Sequence, residues 1–131
     1  MRELKFRIWD NHTKRYVTFV YETNKDCYLF IAPSGYVTAF NCYGEEIDFE
    51  DGRFVVQQYT GLKDKNGKDI YEGDIVKLSL LHYEIMNVYG QFIATCPNYC
   101  HYNWPKFENF VREARCSEVV GNIFDNPELL K

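Results

Sequence analysis

The stretch from Gln58 to Lys77, QYTGLKDKNGKDIYEGDIVK, constrains the fold more than any other part of the chain. Asp64-Lys65-Asn66-Gly67 sits between β-prone residues. Asn-Gly is the pair that best accepts positive φ at both centres of a type I′ turn, whose twist matches its flanking strands. The spacing therefore predicts a hairpin, with Gly61 allowing a bend before it. Ile70-Tyr71 then runs into Glu72-Gly73-Asp74, a second glycine-centred bend, and Ile75-Val76 re-enters the sheet. Two bends in so few residues demand polar turn-formers. Gly61, Asp64, Asn66, Gly67, Glu72, Gly73 and Asp74 thus read as a structural turn motif.

The rest of the pattern is also β. Leu4, Phe6 and Ile8 alternate with Glu3, Lys5 and Arg7, Asp10 to Thr13 is turn chemistry, and Tyr16 to Tyr21 completes an opening hairpin. Short strands follow at Cys27–Ala32, Tyr36–Tyr43 and Arg53–Tyr59. A meander spans Ile75–Leu81, Tyr83–Tyr89 and Gln91–Thr95, turning at Gly90. Between Gly44 and Gly52, Ile47 and Phe49 alternate with Glu46, Asp48 and Glu50, as in a half-exposed edge strand whose acidic side discourages edge-to-edge pairing. The one helix expected runs from Asn103 to Ala114, with Asn103 as cap, Pro105 in the first turn, and Phe107, Phe110, Val111 and Ala114 on one face. Glu118–Phe124 closes as a strand. The 131 residues suit a single mostly-β domain, with a seam near Gly52 dividing an N-terminal β-hairpin subdomain (1–52) from a C-terminal part (53–131).

Composition narrows the function classes. Aromatic residues make up 18% of the chain, which favours pleated, half-buried surfaces. The net charge of −4 counts against duplex DNA as a partner, because phosphate binding draws on a basic face. It is also too mild for charge mimicry of DNA. No apolar run reaches the roughly 18 residues of a membrane span, and the interleaved charges of MRELKFRIWD are unlike a secretory signal. A cytosolic protein is expected, with no membrane partner and with Cys27, Cys42, Cys96, Cys100 and Cys116 as reduced thiols.

QYTGLKDKNGKDIYEGDIVK (58–77), the opening LKFRIWD (4–10) and the closing EVVGNIFDNPELL (118–130) resemble the YopX family of phage and prophage proteins, in the family's order. The resemblance implies a phage-associated, mostly-β protein whose C-terminal half forms a small SH3-like barrel, beginning at Glu72-Gly73-Asp74. It implies no activity. Segments 22–52 and 80–115 carry no family pattern, so an individual function of this member is sought there.

Four constellations remain to be weighed. Cys96 and Cys100, with His101, Cys116 and His82, are the candidate metal ligands, but no second ligand pair stands at zinc spacing. The reading is of no metal and no cofactor. His12, His82 and His101 lie in no nucleophile motif, so no catalytic residue is assigned. Tyr99, His101, Tyr102 and Trp104 form the candidate binding surface, for a peptide or protein ahead of single-stranded nucleic acid. The basic N-terminus can meet the acidic segment 45–51 of the same or a neighbouring chain, and the latter would support a homo-oligomer. The expectation is an accessory protein that acts by binding a protein partner. A nucleic-acid-binding accessory factor is the alternative, and a metal-dependent enzyme comes third.

Overall fold

The computed structural model describes residues 3–17, 27–41, 43–97 and 107–131, with side chains left aside at 27–28 and 107–110. The fold is mostly β, its sheets are curled and include a half-barrel, and it has one α-helix among the described residues. Two compact units divide the chain: Phe6–Gln57, and Met1–Lys5 with Gln58–Lys131.

In the unit Phe6–Gln57, β1 (Phe6–Asp10) and β2 (Arg15–Tyr16) form the expected opening hairpin, with Trp9 opposite Tyr16 and Asp10 opposite Arg15. The alternation of the N-terminal residues holds, but the packed face is the charged one. Leu4 is 65% exposed and Phe6 47%, whereas Trp9 is buried and Arg7 lies over the Tyr16 ring at 4.2 Å. Long basic stems cover aromatic surface well, so the charged residues share the inner side. A second sheet has the order β3-β4-β5, from β3 (Cys27–Ile31), β4 (Val37–Asn41) and β5 (Glu46–Ile47). As the sequence suggested, β5 is an edge strand, and Glu46 is exposed.

Strand β6 (Phe54–Lys63) leads into the other unit, where its second half pairs with β7 (Asp69–Tyr71). Their register slips between Tyr59 and Lys63, where Gly61 takes φ 87° and Thr60 Oγ1 donates to Ile70 O at 2.7 Å. The turn that follows is not type I′. Gly67 has φ 82°, but Asn66 is not among the residues of positive φ. The Asp64 side chain chooses differently: Oδ1 accepts the N–H groups of Asn66 (2.9 Å) and Lys68 (2.8 Å), and Gly67 N–H donates to Asp64 O at 3.0 Å. That fits a type I turn closed by one left-handed glycine. Left-handed backbone at both turn centres does occur, at Tyr89 (φ 52°) and Gly90 (φ 82°).

The larger sheet runs β10-β9-β8-β11, from β10 (Gln91–Thr95), β9 (Leu81–Val88), β8 (Asp74–Leu78) and β11 (Glu118–Asn122). The first turn of the meander falls at Ser79-Leu80, earlier than the sequence suggested, because Leu78 pairs with Leu81 and Ser79 adopts φ 58°. Helix α1 spans Phe107–Cys116 and places Ala114 in the core with Ile70, Val76, Tyr83, Ile85, Phe92, Ala94 and Cys96. The expected cap Asn103 and Pro105 lie outside the described residues.

Asp64 joins the two ends of this unit. Its Oδ2 accepts Val119 N–H at 2.9 Å from β11, and Lys65 N–H donates to Ser117 O at 2.9 Å. Burial pushes the Asp64 carboxyl up, but the N–H groups of Val119, Lys68 and Asn66 outweigh it and hold it below the usual carboxylate range. Asp69 is lowered by hydrogen bonds from Lys5 and Lys63, each at 2.6 Å. The closing motif is equally specific. A Cβ at Gly121 would stand 2.3 Å from Asn126 Oδ1 and 2.9 Å from its Cβ, while Asn122 Oδ1 accepts the N–H groups of Phe124 and Asp125.

Asp64→Ala, which strands three N–H groups, is expected to cost about 3 kcal/mol in urea unfolding. The folded Asp64 value is depressed, so its contribution is complete above the unfolded carboxyl value of about 3.9 and is lost as pH falls through the folded value. The acid limb of the stability profile should therefore flatten in Asp64→Asn. Gly121→Ala should cost about 1–3 kcal/mol, and a double-mutant cycle should show that cost shrinking in an Asn126→Ala background.

Candidate functional site

The turn motif makes several bonds to backbone. Glu72 Oε1 accepts Gln58 N–H at 2.8 Å, Gly73 (φ 82°) donates to Ile85 O at 2.7 Å, and the buried Asp74 accepts Tyr71 N–H at 2.8 Å. Each of these bonds runs to backbone.

The expected aromatic surface Tyr99, His101, Tyr102 and Trp104 lies outside the described residues, as does Cys100 of the candidate metal set. Of that set, Cys96 is buried in the core and lines a pocket of about 190 Å³ with His82, Leu129 and Leu130. Cys116 is exposed at the end of α1. Neither forms a disulfide, and no group of three potential metal ligands occurs among the described residues. Glu84, in mid-β9, is raised by burial.

A concavity lies in the unit Phe6–Gln57. A cavity of about 420 Å³ is lined by Tyr36, Val37 and Thr38 on one side and by Glu46 to Phe49 on the other, with Asp51, Gly52 and Phe54 at its end. That volume falls in the ordinary range of ligand clefts. Consecutive residues of a strand point to opposite faces. Val37 and Thr38 of β4, and Glu46 and Ile47 of β5, are consecutive, so the cleft takes lining from both faces of these strands. Its walls carry apolar surface (Val37, Ile47, Phe49, Phe54) and three carboxylates (Glu46, Asp48, Asp51). Phe49 and Phe54 stack edge to face at 4.9 Å. Tyr36, just before β4, is 76% exposed, Tyr43 in the β4–β5 turn 84% and Phe30 on β3 55%.

One wall is anchored by a buried ion pair. The Arg53 guanidinium donates to Asp10 at 3.0 and 3.1 Å, Arg53 O accepts Asn11 N–H at 2.7 Å, and Gly52 O accepts Asn11 Nδ2 at 2.7 Å. Asp10 is fully buried. Burial raises its carboxyl, but Arg53, the His12 N–H and the Thr13 hydroxyl together bring it below its ordinary value. The acidic run 45–51 was legible as an edge strand. The cleft was not, because it needs 36–38 and 48–49, which are separate in sequence, to stand opposite each other.

The sequence model of the YopX protein family matches residues 5–131, and the chain belongs to that family. Among solved structures, protein EF1440 from Enterococcus faecalis is similar at 26% identity and a TM-score of 0.62. The protein yopX from Bacillus subtilis is similar in fold, at 23% identity and a TM-score of 0.59. Both similarities cover 100% of each chain. No curated protein matches.

Arg53→Ala leaves the Asp10 carboxylate buried without its guanidinium, and should lower unfolding free energy by about 3–5 kcal/mol. In the residual folded fraction, amide exchange should quicken at 51–54 before it does in β8.

Proposed function

We propose that this protein is a non-catalytic protein-interaction module, a phage or prophage accessory factor working in the bacterial cytosol. The observation that carries the reading is a formed cleft with the exposed Tyr36 on its lining, in a unit that also exposes Phe30 on β3 and Tyr43 in the β4–β5 turn. Exposed aromatic residues are common anchors of protein contacts. The cleft's three carboxylates favour a protein segment over a phosphate backbone. The phage setting rests on membership of the YopX family. The absence of any helix long and apolar enough to cross a membrane, among the described residues, agrees with a cytosolic site of action. Reading the sheet β10-β9-β8-β11 as part of an SH3-like barrel rests on the same family resemblance.

A photo-crosslinking side chain placed at Tyr43 tests this in phage-infected host cells. A discrete, nuclease-resistant protein adduct is expected from that position and not from Lys68, and Tyr36→Ser should reduce its yield. Tyr36→Ser itself should change stability by no more than about 0.5 kcal/mol. If only nuclease-sensitive material is captured, the protein-partner reading fails and nucleic-acid binding takes its place.

A further inference from the structure

We infer that the cleft beside Val37 is an insertion slot for an extended segment of a partner protein that alternates Lys or Arg with apolar residues. This rests on the interaction-module reading above and names the partner's chemistry. The strand register supplies the first support. The β4–β5 ladder pairs Phe40 with Glu46 and Ala39 with Ile47, and then stops. Continued in the same register, the next partners are Thr38 with Asp48 and Val37 with Phe49, and all four line the cleft. The walls part where pairing would otherwise continue.

Backbone alternation identifies the handles. Successive residues in an antiparallel ladder direct their N–H and C=O groups to opposite neighbours. Tyr36 O accepts Ala32 N–H at 2.8 Å on the β3 side, and Asn41 N–H donates to Glu45 O at 2.9 Å on the β5 side. Val37 has the parity of Asn41, so its N–H and C=O face the side on which β5 has ended. An added strand can take both groups, in the manner of strand-addition recognition.

Charge selects the strand. Glu46, Asp48 and Asp51 repel an acidic segment, and a neutral one leaves them without counter-charge, while Ile47, Phe49 and Phe54 offer contact to alternate apolar side chains. The same carboxylates keep β5 from pairing with β5 of another copy. The chain's own Lys5-Phe6-Arg7-Ile8 has the required pattern. However, Lys5 is held by Asp69 and Arg7 donates to Gln57 at 2.9 Å, so the occupant is a different protein.

The test is a titration of the isotope-labelled full chain with a capped peptide of about six residues, the length of a common strand, alternating Lys with Val. Controls carry Glu for Lys, or N-methyl groups on alternate amides. Saturable shifts at Val37 and at 46–49 are expected with the Lys peptide. Affinity should fall about tenfold or more on N-methylation, with the Glu peptide, and in the combined variant Glu46→Gln, Asp48→Asn, Asp51→Asn. Equal binding of the N-methylated peptide, or no saturation by the Lys peptide, overturns the slot. So does a dimer in light scattering that the peptide dissociates, because it would assign the slot to a second copy. A failed titration beside a successful crosslink at Tyr43 sinks the slot alone. Failure of both sinks the module reading as well.

Discussion

One carboxylate organises the unit Met1–Lys5 with Gln58–Lys131. Asp64 spends two acceptor positions on its own turn and one on β11, some fifty-five residues away in the chain. The N–H groups it satisfies come from a tight turn and from the start of a strand, where ordinary ladder partners are scarce. A charged acceptor suits that task because hydrogen bonds to an ionised group are shorter and stronger than neutral ones. Around this junction the β6–β7 hairpin, the end of α1 through Ser117, and β11 acquire fixed positions relative to β8. The bulge in β11 between Val119 and Gly121 then carries the chain into the closing turn, where Asn122 and Asn126 take over the same kind of work.

The unit Phe6–Gln57 uses a different device. Its buried charge, Asp10, is matched by a guanidinium instead of by backbone. The pairing holds Asp10 and Arg53 together across the opening hairpin and the entry to β6. What that anchoring leaves open is the more consequential feature. The β4–β5 ladder stops after two pairs, and the stop creates both a cleft and an uncovered strand edge. Native sheets protect edges with charge, and here Glu46 and Asp48 stand beside the end of the ladder.

Much of the fold could be read directly. The opening hairpin, the edge character of 45–51, the meander with its turn at Gly90 and the helix through Ala114 all follow from period and turn chemistry. The misreadings have physical causes. Asn66-Gly67 suggested a type I′ turn because local propensity was weighed without Asp64, whose side chain reaches Lys68 and stabilises a different backbone. At the first strand, Lys5 lies over the Tyr59 ring and Arg7 over the Tyr16 ring, contacts that a polarity pattern does not register. The cleft left no local signature, since Val37 and Phe49 come to line it together only in the folded chain.

By itself, then, the sequence determined the class, the lineage and the positions of most of the turns, because each depends on residues within a few places of one another. Family membership followed from the same short motifs that make those turns. Only the tertiary structure decided that Asp64 binds Val119, that Gly121 must lack a Cβ to admit Asn126, and that Val37 faces a parted ladder rimmed by carboxylates. Those facts depend on which distant backbone groups are brought within about 3 Å, and hydrogen-bond geometry at that range is a property of the folded chain.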